Sequence, residues 1–223
     1  MIAEIPYVVL IGGATLIGLW WANLMYDTGQ IPHHVSRKIS HMAGGVAFLL
    51  CPFLFSSFWW PLILAITFTI MLLYTHLYLP FIFRGTGGTG RLQAFAEVNY
   101  PATAIPIIVI GWGYFHQPWL AIVPLLYLAF GDAITGLIRN KVYGKEIKGN
   151  WGSAGMLITC LILAYFIHPY WIGAVGAITA TLAEKYTKTS TLSIGRCKFP
   201  YDDNLTVPIL SFAVMLLLVE VGG

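Results

Sequence analysis

The chain has 223 residues, of which 58% are hydrophobic and 9% charged, against about 25% charged in an ordinary soluble domain. That composition excludes a soluble globular domain and points to a polytopic membrane protein. The net charge of +3 names no partner, because membrane proteins place charge by topology. Cys51, Cys160 and Cys197 are far apart with no CxxC, so they read as packing residues and suggest neither a zinc site nor a disulfide framework.

The hydropathy pattern predicts an all-α bundle, a single integral-membrane domain over 1–223 with short loops. Its apolar segments, about eight, fall near 5–24, 39–57, 59–79, 101–115, 119–138, 152–168, 170–186 and 204–221. The first lacks a basic leader region, Glu4 being its only early charge, so it is expected to be a span and not a cleaved signal. Pro101 and Pro106 make the fourth irregular. With this threading the loops 25–38, 80–100, 139–151 and 187–203, with the adjoining helix ends, hold all 12 Lys and Arg. The opposite connections, Ser56 to Trp60, Gly113 to His116 and His168 to Trp171, hold none and are rich in interfacial aromatics. The positive-inside rule then puts the basic side in the cytoplasm and both termini outside. Asp27, Glu97, Asp132, Glu146, Glu184, Asp202 and Asp203 gather on the same side, so any chemistry is expected there.

The first polar constellation is His34, Arg37, Lys38 and His41, spaced i, i+3, i+4, i+7 and so on one helix face. Two cations and two imidazoles there suit phosphate; the competing reading is a positive-inside anchor whose side chains reach the headgroups. The stretch from Arg84 to Arg91 matches G-x-G-x-x-G, but no strand precedes it and no βαβ unit surrounds it, so it reads as a glycine-rich loop between two arginines. Glu97 and Asn99 follow. From Leu120 to Ile138 runs an apolar segment of 19 residues, roughly 29 Å as a helix. Asp132, Thr135 and Gly136 inside it share a face with Arg139 just past its end: an acid, a hydroxyl, a gap for close approach and a base at the membrane edge. An ionised Asp at that depth must face protein, water or a cation. Lys145, Glu146 and Lys148 lead to Gly149-Asn150-Trp151-Gly152-Ser153, a helix start with free N–H groups that favour phosphate. Glu184 ends the seventh segment, and Asp202-Asp203-Asn204 opens the eighth. Helix capping explains one of these acids; together with Asp132 they suit Mg²⁺, or Mn²⁺, held by carboxylates and substrate phosphates. Nothing matches a hydrolase triad or a zinc protease, and nucleic-acid binding is not expected.

Arg37-Lys38-x-x-His41, Gly131-Asp132, Lys148-x-x-x-Gly152-Ser153, Glu184 and Asp203-Asn204 with Pro208, in that order, resemble the CTP-dependent lipid kinases: the dolichol, phytol and diacylglycerol kinase relatives. The resemblance covers about 37–210 and departs at Gly149 and Trp151. It implies γ-phosphate transfer from CTP, with a divalent metal, to the hydroxyl of a membrane lipid alcohol of the dolichol, polyprenol or phytol type, or of a glycerol lipid. Arg37, Lys38, His41, Arg139, Lys148, Gly152, Ser153 and Asn204 would bind the donor. Asp132, Glu184 and Asp203 would hold metal, and Asp132, Lys148 and Asp202 would serve catalysis. Two rivals differ in class. A CTP-dependent lipid cytidylyltransferase would release pyrophosphate. A transporter would explain an intramembrane Asp132 but would spread polar residues through the membrane depth.

Overall fold

A chain in lipid must satisfy its backbone internally, and each apolar run does so as a helix. The computed structural model describes residues 2–79, 81–87, 95–144, 148–188, 190–194 and 197–222. After a short 3₁₀ turn come α1 (Ile5–Asp27), α2 (His33–Leu54), α3 (Trp59–Tyr78) and α4 (Ala96–Ile107), the last widening into a π-helical turn, Ile108–Tyr114. Next are α5 (Pro118–Leu126), a second π-helical stretch (Tyr127–Asp132), α6 (Ala133–Tyr143), α7 (Asn150–Leu163) and α8 (Tyr170–Tyr186). A two-stranded hairpin, β1 (Ser190–Ile194) and β2 (Cys197–Tyr201), precedes α9 (Asp203–Gly222). Arg91, in 88–94, and Lys145 and Glu146, in 145–147, lie outside the described residues, as does Arg196.

The apolar segments read from the sequence are all occupied by helices. Four of these, Ile5–Asp27, Trp59–Tyr78, Pro118–Tyr143 and Asp203–Gly222, are long and apolar enough to cross a membrane, and Asn150–Phe166 is a shorter apolar helix. Two boundaries move. α2 begins at His33 and α4 at Ala96, each several residues before its apolar run, because a polar first turn carries no hydropathy signal. The expected all-α fold acquires the antiparallel hairpin, in register Ser190↔Tyr201 to Ile194↔Cys197.

The bundle is built around one rod. α5, the π stretch and α6 run continuously from Pro118 to Tyr143, and 72% of its most apolar window is buried, against 28% in each of the other three long helices. Leu120 through Ala129 are at most 1% exposed where described as core. α2, α7, α8 and α9 pack around this rod, α1 packs on α2, and α3 on α4. Gly131 lets α7 come close: a Cβ there would lie 2.9 Å from Cys160 Sγ. The outer faces stay apolar: Val9, Ile17, Ile70, Ile158, Ile162 and Leu217 are all more than 60% exposed, a pattern suited to lipid and costly in water. α6 ends at Gly144, whose φ of +60° is the left-handed conformation a helix stop favours.

Candidate active site

The charged residues converge at the ends of α2, α6, α8 and α9. Pro124 removes one backbone donor from the rod, and the wider π turn follows at Tyr127–Asp132, a local geometry recurrent at functional sites. Asp132 closes that turn, 5% exposed. Lys38, on α2, donates to its Oδ2. Gly136 supplies the gap expected of it, since a Cβ there would lie 2.6 Å from Lys38 Cε and push the ammonium from the carboxylate. One turn beyond Gly136 on that face, Arg139 Nη2 donates to Glu184 Oε2 at 2.7 Å; the two residues are 7% and 0% exposed.

Lys148 comes in from the start of α7. Its Nζ donates to the carbonyls of Glu184 and Thr187, the latter at 2.7 Å, at the open C-terminal end of α8. The same ammonium stands 3.7 Å from Glu184 Oε1 and 3.5 Å from Asp203 Oδ2. Asp202 differs from the other acids. It accepts from the amides of Asn99 and Asn204, each at 3.2 Å, and has no ion pair among the described residues. Burial first, and then the charge of Asp203, push its carboxyl up to about 6.

Arg37, Lys38, Arg139, Lys148, Lys185 and Lys188 face Asp132, Asp202 and Asp203 across a cleft of about 480 Å³, completed by His34, Gly136 and Thr187. Six cations against three carboxylates leave a surplus of positive charge, the field an anionic ligand needs. One carboxylate oxygen each from Asp132, Glu184 and Asp203 lies within 4.8 Å of the others. Glu184 Oε1 is buried without a hydrogen-bond partner. An all-oxygen set of this kind fits Mg²⁺ or Mn²⁺.

Not every expected residue lines the cleft. Gly152 is packed beneath Arg139, where a Cβ would meet Nε at 2.8 Å, and Ser153 Oγ is buried without a partner. Neither is among the cleft's lining residues. Thr135 donates to Gly131 O at 2.8 Å and to Gly152 O at 3.3 Å, tying α6 to α7. Asn204 is 1% exposed and steadies Asp202 from behind. His41 turns away into a neighbouring apolar cavity, its ring stacked 5.3 Å from that of Tyr100. Sequence reasoning passed over Lys185 and Lys188 as site residues. Their signal was present: they follow Glu184 at the end of α8, near Asp202-Asp203 in the chain.

Fold and cleft together define a helical membrane protein with a cationic, acid-containing pocket at one end of its bundle. The chain is similar to a curated Glycine max protein described as "Probable phytol kinase 3, chloroplastic", 22% identical over 235 residues, covering 93% of this chain and 70% of the relative. No family model matches the chain. No solved structure matches it.

Proposed function

We propose that this chain is a lipid kinase, transferring the γ-phosphate of CTP to the hydroxyl of a membrane isoprenoid alcohol of the dolichol, polyprenol or phytol type. The site would face the cytoplasm, with the chain crossing the bilayer about eight times. The cleft carries the proposal: clustered cations and carboxylates at the end of a membrane bundle are where a water-soluble polyphosphate and a lipid hydroxyl can meet. The distant similarity to a phytol kinase supports the reaction class and the kind of acceptor.

Phosphoryl transfer asks for alignment and charge neutralisation more than covalent help. Arg37, Lys185 and Lys188 make no ion pair with a carboxylate among the described residues, and they suit the donor's α- and β-phosphates. Lys148 sits beside Asp203 as a mobile point charge for the transferred group. Asp132, Glu184 and Asp203 would hold the divalent ion, which when bound supplies charge neutralisation and fixes the phosphates. The acceptor oxygen forms its bond to the γ-phosphorus as the bond to the β–γ bridging oxygen breaks, releasing the nucleoside diphosphate. The hydroxyl proton passes to a cleft carboxylate. Asp202, held by two amides and by no cation among the described residues, suits this role, and Asp132, held by Lys38, is the alternative.

The test is lipid analysis after incubating purified protein with γ-phosphate-labelled CTP or ATP and a panel of phytol, dolichol and diacylglycerol. The expected product is a labelled isoprenoid monophosphate formed from CTP. Label arriving from ATP alone overturns the donor. Release of pyrophosphate with a cytidyl lipid overturns the kinase.

A further inference from the structure

A second cavity lies between α1, α2, α3 and α4, next to the cleft. It is an apolar slot walled by Ile11 and Leu19 of α1, Phe48 and Cys51 of α2, and Leu64 and Leu72 of α3. Along α3 its lining runs from Pro61 to Leu72, roughly 16 Å of helix. Leu64 and Phe68 are only half-buried, so the slot opens sideways toward lipid. One end is polar. There His41, Glu97 and Tyr100, from α2 and α4, are among the lining residues, and His41 Nδ1, Glu97 Oε2 and Tyr100 Oη are each buried without a hydrogen-bond partner. Glu97 uses its other oxygen on His76 Nδ1, 2.9 Å away.

A buried polar atom without a partner is costly, and native interiors satisfy nearly all of them. Three such atoms on residues that line one apolar slot suit a ligand hydroxyl. A hydroxyl can donate to Glu97 and accept from Tyr100 or from His41. His41 lies one helical turn beyond Lys38, the residue that holds Asp132. The polar end of the slot and the cleft therefore meet across α2.

Resting on the lipid-kinase reading, we infer that this slot holds the acceptor before transfer: a single-chain lipid alcohol, its tail between α1, α2 and α3 and its hydroxyl first bound by His41, Glu97 and Tyr100, next to the cleft where it reacts. The lining hydroxyls of Thr15, Ser40 and Thr86 donate to backbone carbonyls, so the ester carbonyls of a diacylglycerol would find no free hydroxyl donor there besides Tyr100. His41 thereby binds the acceptor and not the donor.

The test uses the whole protein in nanodiscs with a long-chain fatty alcohol carrying a diazirine on its tail. Photolysis should label α1 and α3 inside the slot, phytol should compete, and diacylglycerol should not. Ala65→Phe and, as a milder change, Ala47→Leu should abolish long-chain labelling. Label confined to outer residues such as Ile158 and Leu217, or equal competition by diacylglycerol, overturns the inference. Tyr100→Phe removes only the unpartnered oxygen. It should leave the thermal midpoint and nucleotide affinity unchanged and raise the alcohol KM about tenfold; an unchanged KM removes Tyr100 from the site. Slot labelling in a protein that phosphorylates no lipid would sink the kinase reading while leaving the slot intact.

Discussion

Arg139→Met separates what the Arg139–Glu184 pair does for the fold from what Glu184 does for a metal. Glu184 is fully buried, and its Oε2 receives one hydrogen bond, 2.7 Å, from Arg139. Removing one partner of a buried pair leaves an uncompensated charge and costs about 3–5 kcal/mol. Lys148 stands 3.7 Å from the other oxygen and offsets part of that, which puts the expected loss toward the lower end. For a chain of this size such a loss lowers the thermal midpoint by roughly 6–20 °C. Cys51 and Cys160 are buried thiols, so a maleimide dye reports unfolding directly in a Cys197→Ser background. The double variant Arg139→Met with Glu184→Met removes both charges and should recover most of the midpoint, because apolar replacement of a buried pair is often neutral or better. It should remain inactive, since an oxygen of the carboxylate cluster has gone. A single variant within about 1 kcal/mol of wild type, or a double variant less stable than the single, refutes the reasoning.

Lys148→Ala should lose at least about tenfold in kcat/KM, about 1.4 kcal/mol of transition-state stabilisation. It should also lower the midpoint, because Lys148 caps the carbonyls of Glu184 and Thr187. Lys141→Ala, exposed and outside the cleft, should match wild type in both assays. Nucleotide affinity, measured by titration with and without EDTA, should require divalent metal and weaken in Asp132→Asn and Asp203→Asn; full affinity in EDTA would remove these acids from a metal role. Cysteines placed at Lys141 and Gln117, both exposed, should react with an impermeant thiol reagent from opposite sides of the membrane, and labelling from one side would break the eight-crossing topology.

The helices were legible because long apolar runs leave the backbone few alternatives, and the acid–gap–base face of α6 was legible because helical period places Asp132, Gly136 and Arg139 together. What stands opposite a face was not. Lys38 meets Asp132 from 94 residues away, and Asn99 meets Asp202 from 103 away. No local pattern encodes such pairings. Periodicity grouped His41 with Arg37 and Lys38, but it could not say that one more turn carries a side chain past the cleft into an apolar slot. Gly152 and Ser153 had the spacing of a phosphate-binding helix start; packing used Gly152 instead to admit Arg139. The hairpin escaped because its strands are five residues each, short and without a sustained alternation.

The π-helical stretch from Tyr127 to Asp132 also sets the azimuth of everything after it. Each residue advances a helix by about 100°. The wide turn absorbs one residue more than an α-helical turn, which keeps the two halves in phase; inserting one further alanine after Asp132, in α-helical geometry, would not be absorbed. The buried Leu120–Leu126 portion could stay seated while Gly136 and Arg139 swung by about 100° away from Lys38 and Glu184. Circular dichroism would register almost nothing, yet the site would be dismantled. In this rod a single amino acid of chain length is the phase between the part that packs and the part that reacts.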